Sequence, residues 1–420
     1  MSATVSASKS LMAGEPEAGA SIRYVARQPI MDLRGKVHAY ELLFRNGPGA
    51  AFSGDGEQAS RTMIDDILIF GLTRLTSGLS AFINCTEKTL TGDLINILPS
   101  STTVLEVLET VEPSDKVIEA CHDLKIAGYK LALDDFTWVP GIERLVELAD
   151  YIKVDFLISG EQERRELLHR LRGAKVALLA EKVETQEEYL KARDEGFTLM
   201  QGYYFCRPLL MANHELPANR LSQLEILRLL QDETVDAYQL AQQVRNDVSL
   251  TYRLLRLANS PVWSYQQEVH SVHDALIVVG EVNFRRLAAV AIASELNAGQ
   301  PAELLRMAFV RARFCELAAG FCGLNHTEQH LMGMLSLLPA MLRVPMKELS
   351  QMLPLRDEIR QALEGKQVPE RALLCWLEGQ EQGDWATCDM VVERQGLNPS
   401  DLLLRYGQAL QWAEDTLHFA

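Results

Sequence analysis

The stretch Tyr129-Lys-Leu-Ala-Leu133 runs straight into Asp134-Asp135, so a short apolar strand ends on two adjacent carboxylates. Two like charges side by side are unfavourable unless a cation or a proton intervenes. Seven other hydrophobic runs of strand length fill the flanking chain, at residues 22–28, 36–44, 79–84, 102–107, 151–154, 175–180 and 197–203. Several of these finish in the same manner, on Glu41, Asn84, Glu106, Lys153, Glu181 and Gln201. Helix-like stretches at 57–75, 114–127, 141–148, 161–171 and 185–195 separate them. Strand–helix alternation of this kind builds a mostly parallel sheet.

The interval from Gln28 to Lys36 departs from that alternation. Met31-Asp-Leu-Arg-Gly35 is too short for a crossover helix, so the first two strands are expected to pair as an antiparallel hairpin. The set fits a TIM-like (β/α)8 barrel with an antiparallel first strand. Such a barrel gathers the C-terminal ends of its strands into one mouth. Acidic and amide oxygens converging there suit hard divalent cations such as Mg²⁺ or Mn²⁺. Any one acidic residue at a strand end is more often a loop cap or a surface charge. The ordered set is what argues for a metal-dependent enzyme or a descendant of one.

At 420 residues the chain exceeds one ordinary core, so two domains are the natural expectation. Its net charge of −16, from 41 basic and 57 acidic side chains, argues against a nonspecific nucleic-acid binder, which needs a basic footprint. An anionic substrate stays compatible if bound cations supply positive charge. The seven cysteines include no CxxC pair and are widely spread, which disfavours a disulfide framework or a zinc site and fits a reducing cytoplasm. Residues 1–21 read as a flexible tail rich in Ser, Ala and Gly, without the apolar core of a signal peptide. No apolar run is long enough to span a bilayer.

After Pro208 the texture becomes helical. Leu250, Leu254, Leu257 and Ala258 share one helix face, and glycine or proline punctuates at Pro261, Gly280, Pro301, Gly323, Pro345 and Pro354. The expected organisation is a barrel over 22–210, a linker over 211–215 and an all-helical domain over 216–420. His273-Asp274 reads as part of an ordinary helix, His326 and His330 as two surface histidines, and the run 161–166 as a solvated helix face. Trp263, Trp376, Trp385 and Trp412 are expected to fill the helical core.

Several segments together resemble an EAL-type cyclic di-GMP phosphodiesterase domain. They are Arg27-Gln-Pro-Ile30, Glu41-Leu-Leu-Phe-Arg45, Phe82-Ile-Asn84, Leu105-Glu-Val-Leu-Glu109, Leu131-Ala-Leu-Asp-Asp-Phe136, Ile152-Lys-Val-Asp155, Ala180-Glu-Lys-Val-Glu-Thr185 and Gln201-Gly-Tyr-Tyr-Phe-Cys-Arg-Pro208. The helical remainder resembles the HDOD domain, a relative of HD phosphohydrolases that has lost its metal ligands. Here Gly333-Met-Leu-Ser-Leu-Leu-Pro339 stands where the parent family carries His-Asp.

The resemblance implies that Glu41, Asn84, Glu106 and Asp134 ligate a first Mg²⁺ or Mn²⁺, and that Asp134 and Asp135 hold a second. Lys153 would steady the attacking water, Glu181 would serve as general base and Gln201 would complete the water-positioning shell. Gln28, Arg45, Asp155 and Pro208 would lie along the nucleotide, and Glu184 would brace the loop after the fifth strand. The implied substrate is cyclic di-GMP, hydrolysed to linear pGpG. A protein partner through the HDOD domain and a homodimer are further expectations. Two departures bear on catalysis. The family's Gly-Thr-Gly loop reads Thr137-Trp-Val-Pro140 here, which bears on the second metal, and the glycine of Glu-Gly-Val-Glu is Lys182. The alternative is a catalytically silent barrel that binds the nucleotide or a protein and signals through the helices.

Overall fold

The computed structural model describes residues 23–46, 71–206, 218–230, 234–259, 269–353 and 355–417. The expected tail and linker, Pro208, Pro261, Trp263, Pro354 and most of the 57–75 helix lie outside these residues. Eight strands close into a barrel in sequence order: β1 (Arg23–Asp32), β2 (Val37–Asn46), β3 (Ser80–Cys85), β4 (Thr103–Val107), β5 (Lys130–Leu133), β6 (Tyr151–Asp155), β7 (Ala177–Glu181) and β8 (Leu199–Gln201). β1 is antiparallel to both β2 and β8, and every other pairing is parallel.

The hairpin turn is tighter than the sequence implied. β1 continues to Asp32, whose Oδ1 accepts from the N–H of Arg34 and of Lys36, both at 2.9 Å, while Gly35 takes φ 73. An aspartate bonding its own following backbone, with glycine at the left-handed position, is the chemistry such a turn requires. Two of the crossover helices are capped by side chains as well. Ser114 accepts from Val117 N at 3.3 Å at the head of Asp115–Ile126, and Thr185 with Glu188 forms a capping box on Gln186–Glu195.

The barrel interior explains the ring of polar residues. Ile30, Ala39, Phe82, Val104, Ala132, Tyr151, Leu179 and Leu199 pack as a cluster of their own inside it. Side chains two positions apart on a strand share a face. One step towards the mouth from that apolar layer are therefore Glu41, Asn84, Glu106, Asp134, Lys153, Glu181 and Gln201. On β1, which runs the other way, the same step leads from Ile30 to Gln28. One layer seals the barrel floor, and the next carries all the polar groups.

From Ala218 to Leu417 the described residues form helices and no strand. Ala302–Ala318 is the central helix, buried along most of its length. Gly333 lies where His326–Leu335 crosses it, since a Cβ there would sit 2.4 Å from Arg311 O. The face predicted from periodicity is buried, with Leu250 and Leu254 fully enclosed. Trp376 is fully buried and stacks on Phe314, whereas Trp385 and Trp412 are only partly buried.

Two sequence expectations need correction. His330 is buried and its Nδ1 lies 3.1 Å from Glu316 Oε2, so of this pair His326 alone lies at the surface. Within the charged run 161–166, Arg164 is buried and forks onto Glu195 at 2.8 and 2.9 Å. All seven cysteines are free, and no described helix is long and apolar enough to cross a membrane.

The helical half packs on the outer face of the β1–β2 hairpin. No crossover helix joins β1 to β2, so the outer side of that hairpin draws its cover from elsewhere: Leu75 O accepts from Arg27 Nη1 at 2.8 Å, and the helical half supplies further cover. Helix Ala302–Ala318 supplies part of it: Tyr40 Oη donates to Glu303 Oε2 at 2.9 Å, and the Arg306 guanidinium lies 5.2 Å from the Tyr40 ring centroid. Helix Ala372–Gln382 supplies more, with Gln380 Nε2 donating to Val25 O at 2.6 Å.

Candidate active site

Lys153 stands at the centre of the polar ring and is 1% exposed. Its Nζ lies 2.8 Å from Glu106 Oε1, 2.8 Å from Asp134 Oδ1, 2.9 Å from Glu181 Oε1 and 3.3 Å from Glu41 Oε2. Four strands thus aim a carboxylate at one ammonium. Gln201 Nε2 donates to Glu41 Oε2 at 2.6 Å and to Gln28 Oε1 at 3.0 Å, and Asn84 Nδ2 donates to Glu41 Oε1 at 3.5 Å.

The ring holds more acceptors than donors. An ammonium has three protons and cannot bond four carboxylates at once. Glu106 Oε2, Glu181 Oε2, Asn84 Oδ1 and Gln201 Oε1 are buried without a hydrogen-bond partner. The titration of the groups reflects this. Burial, reinforced by Glu41 and opposed by Lys153, pushes Glu106 well above the usual carboxylate range. Burial likewise lifts Glu181 to about 8, with Lys153 pulling down and Asp134 and Glu41 pushing up. For Lys153, burial alone would lower the ammonium, but Glu106, Glu181, Glu41 and Asp134 together raise it well above its ordinary value.

A hard divalent cation fits this donor set, because the orphaned atoms are all carboxylate or amide oxygens. Among the described residues no three His, Cys, Asp or Glu side chains already stand in a metal-holding arrangement. The Lys153 ammonium takes the centre that a cation would share.

The remaining expected residues lie outside the ring. Asp135 is half-buried with φ 38, a left-handed conformation rare outside glycine, and burial and then Asp134 raise its pKa. Asp155 accepts from the N–H of Leu157 at 2.7 Å and of Ile158 at 3.2 Å, and it is ion-paired to Lys182. Lys182 itself has φ 54. That is a position where the family's glycine fits without strain, and the lysine compensates with an ion pair to Asp155. Trp138 turns away from the ring: its ring meets Phe136 edge-on, and Nε1 donates to Glu143 Oε1 at 3.3 Å. Glu184 lies in the loop after the seventh strand, β7, and not after the fifth as expected, with its N–H donating to Glu188 Oε2 at 2.8 Å. The Arg45 side chain and Pro208 are outside the described residues.

Gly202 fixes β8 against the β7 loop. It has φ 142, and a Cβ would come 2.1 Å from Val183 O. Gly202→Ala is expected to lower stability by at least ~2 kcal/mol and to displace Gln201, since backbone must move on both sides. A melting curve and the turnover assay described below check this; an alanine variant matching the native protein in both would refute the role.

A closed barrel with a carboxylate–amide ring at its mouth, followed by a helical half, defines a two-domain protein with a candidate cation-binding site in its first domain. The comparisons make the family definite. The EAL domain model matches residues 73–208 and the HDOD domain model matches 216–358. The cyclic di-GMP phosphodiesterase CdgJ of Vibrio cholerae is 33% identical over 399 residues, covering 93% of this chain and 92% of its own. The uncharacterized protein YuxH of Bacillus subtilis is 32% identical over 405 residues, covering 94% and 98%. Klebsiella pneumoniae BlrP1, solved with manganese and cyclic di-GMP, aligns over 46% of this chain and 57% of its own at 24% identity. Its TM-score is 0.37, a likeness too loose to place any side chain. The chain belongs to the family that joins an EAL domain to an HDOD domain.

Sequence reading found the whole ring but missed the residues of the helical half that touch it. Gln28 Nε2 donates to Gln382 O at 3.0 Å, across 354 residues of sequence. Nothing local in Gln380-Glu-Gln-Gly383 marks it as a wall of a barrel mouth.

Proposed function

We propose that the barrel hydrolyses cyclic di-GMP to linear pGpG with divalent cations, in a reducing cytoplasm, and that the helical domain is its platform for protein contact or dimerisation. The observation that carries this reading is the ring of four carboxylates, three buried and Asp134 partly so, around one buried ammonium, with orphaned oxygens left over. Glu41, Asn84, Glu106 and Asp134 would hold a first cation, with Asp134 and Asp135 at a second. When bound, such ions neutralise phosphodiester charge and make water a better nucleophile.

The chain's own groups would divide the remaining work. Glu181 takes a proton from the water as its oxygen bonds to phosphorus and the bond to the ribose 3′-oxygen breaks; that oxygen leaves and is protonated by solvent. Positive charge beside Glu181 favours the carboxylate form that a base requires. Lys153 holds the water oxygen, and Gln201, fixed between Glu41 and Gln28, orients it.

Purified protein incubated with cyclic di-GMP and Mn²⁺, with products resolved by chromatography, tests the reading. Glu181→Gln is expected to lower kcat by roughly 10²–10⁴-fold while leaving nucleotide binding intact. Tight binding without turnover in the native chain would make the barrel a receptor, and absence of both would leave a protein scaffold.

A further inference from the structure

The last carbonyls of an α-helix have no partner within the helix. At the end of Ala372–Gln382, Gly379 O accepts from Asp384 N at 2.8 Å and Gln380 O from Gly383 N at 3.4 Å, through a turn with Gly383 at φ 70. The next two carbonyls are taken by the barrel. Tyr203 Oη donates to Glu381 O, and Gln28 Nε2 donates to Gln382 O at 3.0 Å. Tyr203 follows β8 and Gln28 lies on β1, so the helix end ties the strand that carries Gln201 to the strand paired with it.

The polarity of this contact matters more than its strength. A primary amide presents a donor side and an acceptor side, and a backbone carbonyl can only accept. Gln382 O therefore fixes the Gln28 amide with its NH₂ towards the helix and its Oε1 towards the site. There Oε1 accepts from Gln201 Nε2 at 3.0 Å, and the same nitrogen donates to Glu41 Oε2 at 2.6 Å. Freed of the carbonyl, Gln28 can flip and present NH₂ to NH₂, which turns Gln201 out of register. We infer that the C-terminal turn of Ala372–Gln382 is a positioning element for the barrel site, through which the helical domain sets the orientation of Gln28 and hence of Gln201. Movement of that helix by a bound partner then alters turnover without touching the nucleotide. The inference rests on the assignment of Gln201 and Glu41 to the hydrolytic centre.

Two variants of the full chain separate it from that assignment. Tyr203→Phe removes one tether and keeps the ring. Gly383→Ala moves the turn, because its Cβ would meet Leu43 Cδ1 at 3.0 Å at a left-handed φ. Each is expected to lower kcat with Mn²⁺ and cyclic di-GMP by about 5–20-fold with KM within about two-fold, as lost orientation rather than lost binding dictates. Each is also expected to speed amide hydrogen exchange over Leu199–Gln201, read without substrate. Both variants matching the native chain in kcat and in exchange would overturn the inference. A native chain without turnover would sink the hydrolase reading instead, and the exchange of β8 amides alone would then decide the coupling: faster in the variants upholds it, unchanged overturns it.

Discussion

Lys153→Met is expected to abolish turnover and to cost the metal-free protein on the order of 3–5 kcal/mol at neutral pH. Among the described residues the lysine is the only cation within bonding distance of Glu41, Glu106, Asp134 and Glu181, and it is almost fully enclosed. Methionine matches its length but leaves four carboxylates facing one another. Such a ring relieves itself by taking up protons, which sets the pH dependence. Burial already raises Glu106 and Glu181 above their unfolded values. Groups of that kind bind more protons in the folded state, so their penalty is absent well below the unfolded pKa and grows as the pH rises towards the folded one. The variant should therefore melt close to the native protein near pH ~4.5 and roughly 5–15 °C below it near pH ~8. Added Mn²⁺ should recover much of the loss, because it restores positive charge among the same oxygens without restoring the lysine. A variant whose melting point matches the native one at both pH values and ignores Mn²⁺ would falsify the charge argument. It would also remove the main reason for placing a cation in the ring.

That ring was legible in the sequence for a specific reason. Period-two alternation brings a strand's last inward residue into the mouth, and here it is polar on strand after strand, from Glu41 to Gln201. The antiparallel hairpin was legible from the shortness of 31–35, though Asp32 belongs to the strand and the turn to Leu33–Gly35. The ion pair of Asp155 with Lys182 was not legible. It depends on Lys182 adopting φ 54, which a lysine in a sequence does not announce. The docking of the two halves was equally hidden. Tyr40 reads as an ordinary outward strand residue, and Glu303 and Arg306 read as an ordinary charged pair on a helix surface. Only the fold shows that all three meet in a buried contact, with burial lifting Glu303 to about 8.

That contact gives the second large effect. A chain ending at residue 215 would on sequence grounds be a foldable barrel, because the domains read as separate units. The structure leads to a different expectation. Without the helices of the C-terminal half the outer face of the β1–β2 hairpin loses the cover they supply, and Tyr40 and Val25, both now buried, become more exposed to water. Val25 O and Tyr203 lose their partners Gln380 Nε2 and Glu381 O. Burial of an aromatic or aliphatic side chain contributes about 1.5–3 kcal/mol, and a lost hydrogen bond about 1 more. The sum is on the order of 5 kcal/mol, comparable with the whole stability of an ordinary domain. The truncated barrel should accumulate mainly as aggregate, or melt far below the full chain, and supplying the helical half as a separate polypeptide should restore soluble barrel. A truncated barrel that purifies as a monomer and melts within about 3 °C of the full-length protein would show that the interface contributes little. In that case the helical half would act on the barrel only through the turn at Gln382, if it acts at all.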